Sequence, residues 1–174
     1  MKKLLCYLLC LLLTACATAP QKAPLSGEVQ LQGMFSLVTP QAHESGHFSW
    51  QEDPSQQFNL ELYGPLGLGA TRLVKQNDAV TLETAQGKTY TAGSPEQLLQ
   101  NVLGWSMPVE GMTYWLLGVP VPHQPFTAQY QGSEIVVLNQ AGWVIHYTWS
   151  KTSIYPQRIL MQRTNVRLLV VVSH

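Results

Sequence analysis

The chain has 174 residues with ten basic and ten acidic side chains, so its formal net charge is zero. Charged residues make up only 11% of the chain, against about a quarter in ordinary soluble domains, and neither sign forms a block. This composition argues against nucleic-acid binding and indicates a single domain with much apolar surface to bury.

The N-terminal residues are typical of a secretory leader. Lys2 and Lys3 precede an apolar run from Leu4 to Leu13. That run is about ten residues long, well short of the roughly 20 that a membrane-spanning helix needs. We therefore expect residues 1–15 to be removed as a signal peptide.

The leader ends in Leu13-Thr14-Ala15-Cys16, which resembles the lipobox of bacterial lipoproteins. In a lipobox the cysteine thiol takes a diacylglyceryl group and the new amino terminus is acylated, so Cys16 would be the lipid-bearing first residue. The alternative is an ordinary signal peptide in which the cysteine stands by chance. Cys6 and Cys10 leave with the leader, so no disulfide is expected. Because Ala17 follows the cysteine where inner-membrane lipoproteins carry Asp, the resemblance implies the periplasmic face of the outer membrane.

Residues 16–27 form a lipidated N-terminus and a short tether rich in Pro and Ala, and residues 28–174 are predicted to form one domain. From Val29 onwards apolar and polar residues alternate, which is the period of half-buried antiparallel strands. The apolar sets of the first strands are Val29, Leu31, Phe35 and Leu37, then Phe48 and Trp50, then Phe58, Leu60 and Leu62. Further strands are predicted over residues 69–75, 78–84 and 88–92.

Residues 94–103 carry the clearest helix signal, with Ser94 as N-cap, Pro95 at the first helical position and Gly104 as a stop. A second short helix is predicted over Met112 to Leu117. Five more strands are predicted near residues 127–131, 135–139, 144–149, 158–163 and 166–172. Runs of strands interrupted once by helices predict a mainly β (α+β) fold, a curved antiparallel sheet of about eleven strands with helices inside its concave face.

The sequence contains no recognisable catalytic or metal site. The spacing of histidines and cysteines does not match a zinc site, and no serine has the Gly-x-Ser-x-Gly context of a nucleophile. His43 and His47 stand four residues apart, but the pattern indicates a loop or hairpin with solvated histidines rather than metal ligands. Glu52 and Asp53 are interpreted as a polar turn between strands and not as a catalytic carboxylate pair. We expect no enzyme, no metal and no cofactor.

The segment Gly64-Pro65-Leu66-Gly67-Leu68-Gly69 places two leucines in a tight connection between strands, where polar residues are usual. Leu66 is expected to be exposed and offered to an apolar partner. Leu68 is equally compatible with burial at the start of the next strand.

The chain resembles the family of the outer-membrane lipoprotein receptor LolB. The resemblance rests on four motifs in the family's order: the lipobox at 13–16, Gly-Pro-Leu-Gly at 64–67, Thr-Tyr-Thr-Ala at 89–92 and Tyr-Trp-Leu-Leu-Gly-Val-Pro at 114–120. It implies an open antiparallel β-barrel of the LolA/LolB type, closed by helices over an apolar cavity. It also implies a receptor that takes acylated lipoproteins from a LolA-like periplasmic carrier and inserts them into outer-membrane lipid.

Carried onto this chain, the family's protruding leucine corresponds to Leu66, so Pro65, Leu66, Gly67 and Leu68 would form a membrane-insertion loop. The residues expected to line an acyl-chain cavity, each equally compatible with an ordinary core, are Phe35, Leu37, Phe48, Trp50, Phe58, Leu60, Leu98, Val102, Trp115 and Trp149. The protein is expected to act as a monomer. The alternative function is a structural or interaction lipoprotein of the envelope with a solid core.

Overall fold

The computed structural model describes residues 27–64 and 70–173, which contain eleven strands and two helices. The strands are β1 (Val29–Val38), β2 (His43–Glu52), β3 (Phe58–Tyr63), β4 (Thr71–Gln76), β5 (Ala79–Glu83), β6 (Thr89–Ala92), β7 (Phe126–Gln131), β8 (Glu134–Gln140), β9 (Trp143–Trp149), β10 (Pro156–Arg163) and β11 (Val166–Ser173). The predicted mainly β fold with about eleven strands is confirmed. Each strand that was bounded from the sequence begins and ends within two residues of its predicted limits.

All eleven strands form one antiparallel sheet in the order β6-β5-β4-β3-β2-β1-β11-β10-β9-β8-β7. Consecutive strands are neighbours everywhere except β6 and β7. The first and last strands, β1 and β11, also pair, and this pairing joins the two halves of the chain. The first half ends at edge strand β6 and the second begins at edge strand β7, and these two edges do not pair with each other. The sheet is therefore open.

The connections between antiparallel neighbours alternate between the two ends of the strands. We call one end the hairpin rim; it is made of residues 39–42, 84–88, 141–142 and 164–165, together with Gly64 after β3 and Ala70 before β4. The opposite rim carries residues 53–57, 77–78, 132–133 and 150–155, and β1 starts there after Gly27 and Glu28. This assignment determines which loops and strand ends lie at the same end of the sheet.

Side chains alternate across the sheet, and the buried set faces the concave side. Two glycines in adjacent strands allow aromatic rings to lie across the backbone there. A Cβ on Gly46 would lie 2.2 Å from the Tyr63 carbonyl oxygen and 3.3 Å from the Phe35 ring, and one on Gly33 would lie 2.9 Å from the Phe48 ring. The glycines therefore leave room for Phe35 and Phe48 on the concave face.

Helix α1 (Pro95–Leu103) has the predicted caps. The Ser94 hydroxyl accepts a hydrogen bond from the Gln97 amide at 3.2 Å, and Gly104 ends the helix with φ 77°. Leu98 and Leu99 are buried on the face turned to the core, and α1 contacts β5 and β6. Among the described residues no helix is long and apolar enough to cross a membrane.

Helix α2 (Val109–Leu116) starts three residues earlier than predicted, so the predicted start at Met112 was wrong. The Val109 amide donates to the Glu96 carboxylate of α1 at 2.9 Å, which satisfies one of the free N–H groups of the first turn. Because this cap comes from another helix, no local sequence signal marks it. The end at Leu116 lies within one residue of the prediction.

Candidate functional site

An apolar pocket lies between the concave face of the sheet and helix α2. Its walls come from β1, β2, β3 and β11 on one side and from α2 and the residues just before it on the other. It has about 510 Å³ of space between atoms, counting the part that is open to solvent. All thirteen lining residues have apolar or aromatic side chains: Phe35, Leu37, Phe48, Trp50, Leu60, Leu62, Trp105, Met107, Val109, Met112, Leu116, Leu168 and Val170.

Strand register brings the sheet side of the pocket together. Phe35 is opposite Val170, and Leu37 is opposite Leu168 across the β1–β11 pairing. On β2 and β3, Phe48 is opposite Leu62 in the same way. The two β1–β11 pairs cross the junction of the two halves of the chain, so the sheet side of the pocket is complete only when β1 and β11 have paired.

Five of the ten proposed cavity residues line this pocket, namely Phe35, Leu37, Phe48, Trp50 and Leu60. The other five lie elsewhere. Phe58 stacks on Trp50 with ring centroids 5.1 Å apart. Leu98 and Val102 belong to the packing of α1. The Trp115 and Trp149 indoles donate hydrogen bonds to Gln140 Oε1 and the Ile135 carbonyl oxygen.

Eight lining residues were not among the proposed cavity residues, and they fall into two groups. Leu62, Leu168 and Val170 continue the period-two pattern of strands that the sequence did reveal. The others come from α2 and its approach: Trp105, Met107, Val109, Met112 and Leu116. Trp105 and Met107 alternate with polar or small residues in a segment between helices, and this unusual apolar content of a connection was the available signal.

Glu52 is buried in the core and does not belong to the turn, so the interpretation of Glu52 and Asp53 as a polar turn was half wrong. Asp53 does close the turn, because its carboxylate accepts from the Ser55 and Gln57 amides at 2.8 and 3.1 Å. The Glu52 carboxylate instead accepts hydrogen bonds from Trp50 Nε1, at 3.2 Å, and from the Thr113 hydroxyl of α2. Burial raises the pKa of Glu52, and these hydrogen bonds oppose that rise only in part.

Gln140 is the second polar residue that fixes the helical layer. Its Oε1 accepts from Trp115 Nε1 at 2.9 Å and from the Val121 amide at 2.8 Å, and its Nε2 donates to the Val121 carbonyl at 2.9 Å. Gln140 is 3% exposed. A buried amide with these partners ties the end of α2 to β8 and holds the helix over the pocket.

The histidine pair lies on the second strand of the β1–β2 hairpin, which agrees with the hairpin alternative of the prediction and not with the loop. His43 and His47 both belong to β2, where a separation of four residues spans roughly 13 Å, too far for shared coordination of one ion. His47 stacks on Tyr63 with ring centroids 5.7 Å apart. Across the described ranges, no cluster of three or more potential metal ligands occurs.

Cys16 and the loop residues Pro65, Leu66, Gly67 and Leu68 lie outside the described residues. The positions that flank the loop are described. Tyr63 ends β3 and Thr71 begins β4, so the connection belongs to the hairpin rim. Leu62, which lines the pocket, comes two residues before Gly64. The loop therefore follows directly from a wall of the pocket.

The comparisons with known proteins agree on one family. The family model described as outer membrane lipoprotein LolB matches residues 28–174. The chain is 33% identical over 148 residues to an outer-membrane lipoprotein LolB of Stutzerimonas stutzeri, covering 83% of this chain and 71% of the relative. It is 32% identical to the protein of that name from Pseudomonas syringae, with 83% and 72% covered, and 30% identical to one from Francisella tularensis, with the same coverage.

Proposed function

Because this chain belongs to the LolB family of outer-membrane lipoproteins, we propose that it binds lipoprotein acyl chains in the apolar pocket and inserts them into the outer membrane. The cargo would arrive on a soluble periplasmic carrier. The chain is an outer-membrane lipoprotein that serves lipoprotein localisation, and it is not an enzyme. The observation that carries the acyl-chain proposal is the pocket, whose thirteen lining residues are all apolar.

The physical basis is differential burial of hydrocarbon. Each methylene that leaves water contributes about 0.8 kcal/mol, so an acyl chain is held by any apolar pocket that can admit it. Net movement from carrier to receptor to bilayer then requires only that each acceptor bind the chain more favourably than the donor before it. No bond needs to form or break. The pocket also favours this function over that of a structural lipoprotein with a solid core.

We further propose how the chain is divided. Residues 1–15 are the signal peptide, Cys16 is the lipid-bearing first residue of the mature protein, residues 16–27 are its lipidated end and tether, and residues 28–174 are one lipoprotein-binding domain. The boundary at 28 is supported by the start of β1 at Val29 and by the family match, which begins at the same place.

Leu66, together with Pro65, Gly67 and Leu68, is proposed as the membrane-insertion loop. Its support is positional, because the loop extends β3 from pocket residue Leu62 at the hairpin rim. A leucine that becomes fully buried in the bilayer contributes about 1.5–3 kcal/mol, enough to bias release at the membrane. An acyl chain that leaves the pocket on this side would meet the loop first.

Leu66→Glu is expected to accept lipoprotein from the carrier but to fail to insert it into vesicles, because a charged side chain opposes entry into the bilayer. Transfer and insertion are measured separately, by release of cargo from the carrier and by its flotation with vesicles. The matched control is Ile154→Glu, an exposed apolar residue on the opposite rim, which should insert normally. Normal insertion by Leu66→Glu removes the proposed role of the loop.

Met107→Gln is expected to weaken binding of an acylated peptide about tenfold, since an amide left unpaired against hydrocarbon costs about 1–3 kcal/mol. Met107 lines the pocket from the connection before α2. Met34→Gln is the matched control, because Met34 is 49% exposed on the outer face of β1. Equal affinities for both variants, measured by fluorescence titration, would place the acyl chain somewhere other than this pocket.

A further inference from the structure

Charge is distributed unevenly between the two rims of the sheet. Within three residues of the hairpin-rim connections there are four basic and three acidic side chains. The rest of the described residues carry three basic and seven acidic side chains. The charged residues of the hairpin rim are Arg72, Lys88, Arg163, Arg167, Glu44, Glu61 and Glu83. Within residues 27–64 and 70–173, basic side chains therefore outnumber acidic ones at the hairpin rim and not in the remainder.

Three cations at the hairpin rim are available to an external anion. Arg72 pairs with Glu61, with Nε and Oε1 3.5 Å apart. Lys88, Arg163 and Arg167 are exposed and make no ion pair with any residue in 27–64 or 70–173. Arg163 and Arg167 lie on adjacent strands on either side of the 164–165 turn.

Exposed apolar side chains occur at the same rim. The described part of the chain has seven exposed large hydrophobic residues, and four of them lie within two residues of the strand ends at this rim: Val38, Tyr90, Phe126 and Val144. Basic side chains mixed with tyrosine, phenylalanine and aliphatic residues are typical of protein surfaces that rest in the headgroup region of a bilayer. The opposite rim combines exposed Tyr130 and Ile154 with four acidic and three basic side chains within three residues of its connections.

The length of the tether is consistent with this end facing the membrane. The domain is tied to its proposed anchor, Cys16, through residues 17–28, and β1 starts at the opposite rim. Twelve residues span at most about 40–43 Å when extended. The ten residues of β1 separate the two rims by about 33 Å. The tether can therefore run back along the sheet and still reach the membrane, with only about 10 Å to spare.

We propose that the hairpin rim is a docking surface for anionic phospholipid, so that the domain stands on the membrane on this rim. Lys88, Arg163 and Arg167 contact lipid phosphates, and Val38 and Val144 enter the headgroup region on the two sides of the arginine pair. This proposal rests on the proposed function, because the hairpin rim is the end of the domain at which cargo would be delivered to the membrane. The residues of the docking surface are different from those of the pocket and of the membrane-insertion loop.

The test uses the mature chain with Cys16→Ser, which removes the acyl anchor, and vesicles of phosphatidylglycerol with phosphatidylethanolamine. We expect sedimentation with these vesicles, little with pure phosphatidylcholine, and weaker binding as salt rises. Arg163→Gln and Arg167→Gln should each weaken binding about fivefold, as expected from roughly 1 kcal/mol for each basic residue near an anionic surface. Arg158→Gln is the matched control, because it removes an exposed arginine from the other half of β10. This variant should bind the anionic vesicles as well as the unaltered chain does.

The proposal is overturned if the unaltered chain does not prefer anionic vesicles, or if all three arginine variants bind alike. If the rim variants keep vesicle binding but slow uptake of cargo from the carrier, the rim docks an acidic protein and the assignment to lipid is wrong. Binding of an acylated peptide in solution is measured in parallel, and the rim variants should retain it. Loss of peptide binding by the unaltered chain would refute the proposed function without affecting the vesicle result.

The orientation has its own test in the lipidated chain. Deleting residues 18–23 leaves a reach of about 20 Å, too short to pass along β1, so insertion of cargo should fall at least fivefold. Replacing the same six residues with Gly and Ser at equal length is the control and should preserve activity. Full activity of the deletion would show that the hairpin rim does not face the membrane.

Discussion

Single buried polar side chains fix where the helical layer lies above the sheet. Glu52 reaches α2 through the Thr113 hydroxyl, and Gln140 holds Trp115 and the chain after α2. Each residue stands at an inward position of its strand, so strand alternation points a polar group into the core. Such groups are stable only with partners, which makes them specific positioning contacts rather than sources of net stability.

The carboxyl group of Glu52 makes stability depend on pH in a direction opposite to that of most acidic residues. Because burial raises its pKa above the ordinary value of 4.5, the folded protein binds a proton more tightly than the unfolded chain does. Its contribution to stability is therefore full below pH 4.5 and is lost as the pH rises through the raised pKa.

Glu52→Gln should remove this dependence, since the amide stays neutral and its oxygen can still accept from Trp50 and Thr113. Relative to the unaltered protein, the variant should gain stability between pH 4 and pH 7, as measured by urea unfolding at both values. The control is Glu44→Gln, an exposed residue of the same strand. A stability difference that does not vary with pH would mean that folding does not change the pKa of Glu52.

At the scale of elements, α2 is held by partners that are distant in sequence. Its first turn is capped by Glu96 of α1, and its Glu110 pairs with Lys75 of β4, with Nζ and Oε1 2.6 Å apart. Gln140 of β8 holds the far end of the helix through Trp115. Val109, Met112 and Leu116 then face the pocket. The helix is thus positioned by polar contacts around its margin while its apolar side covers the pocket.

Glu96→Ala should lower the free energy of unfolding by about 1 kcal/mol, because the Val109 amide loses its acceptor in the first turn of α2. Glu83→Ala is the control at an exposed strand end and should stay within about 0.5 kcal/mol of the unaltered protein. Urea unfolding gives both values. If Glu96→Ala and the unaltered protein had equal free energies of unfolding, water would be accepting the hydrogen bond from the Val109 amide as well as Glu96 does.

At the scale of the whole molecule, the open sheet leaves the concave face without a second sheet to pack against. Two short helices cover part of that face, and the space that they leave is the pocket. In a β-sandwich of this size the side chains of a second sheet would cover that face. Openness of the sheet and the presence of an apolar pocket are therefore linked.

An acylated peptide at a hundred times its dissociation constant should raise the free energy of unfolding by about 2.7 kcal/mol, because it binds the folded state only. For a domain of this length that corresponds to a rise in Tm of roughly 5–10 °C. The same peptide without its acyl chain is the control. No shift with either peptide, in a thermal scan followed by tryptophan fluorescence, would contradict acyl-chain binding.

The sequence by itself determined the strand pattern, the capped helix α1 and the family, because alternation, caps and ordered motifs are local signals. The same alternation also placed five pocket residues on the inward faces of their strands: Phe35, Leu37, Phe48, Trp50 and Leu60. Only the tertiary structure decided which of them line the pocket, that Glu52 reaches α2, and that α2 starts at Val109 under a cap from α1. These features depend on contacts between residues far apart in the chain, across the β1–β11 junction and between helix and sheet, and periodicity carries no information about such contacts.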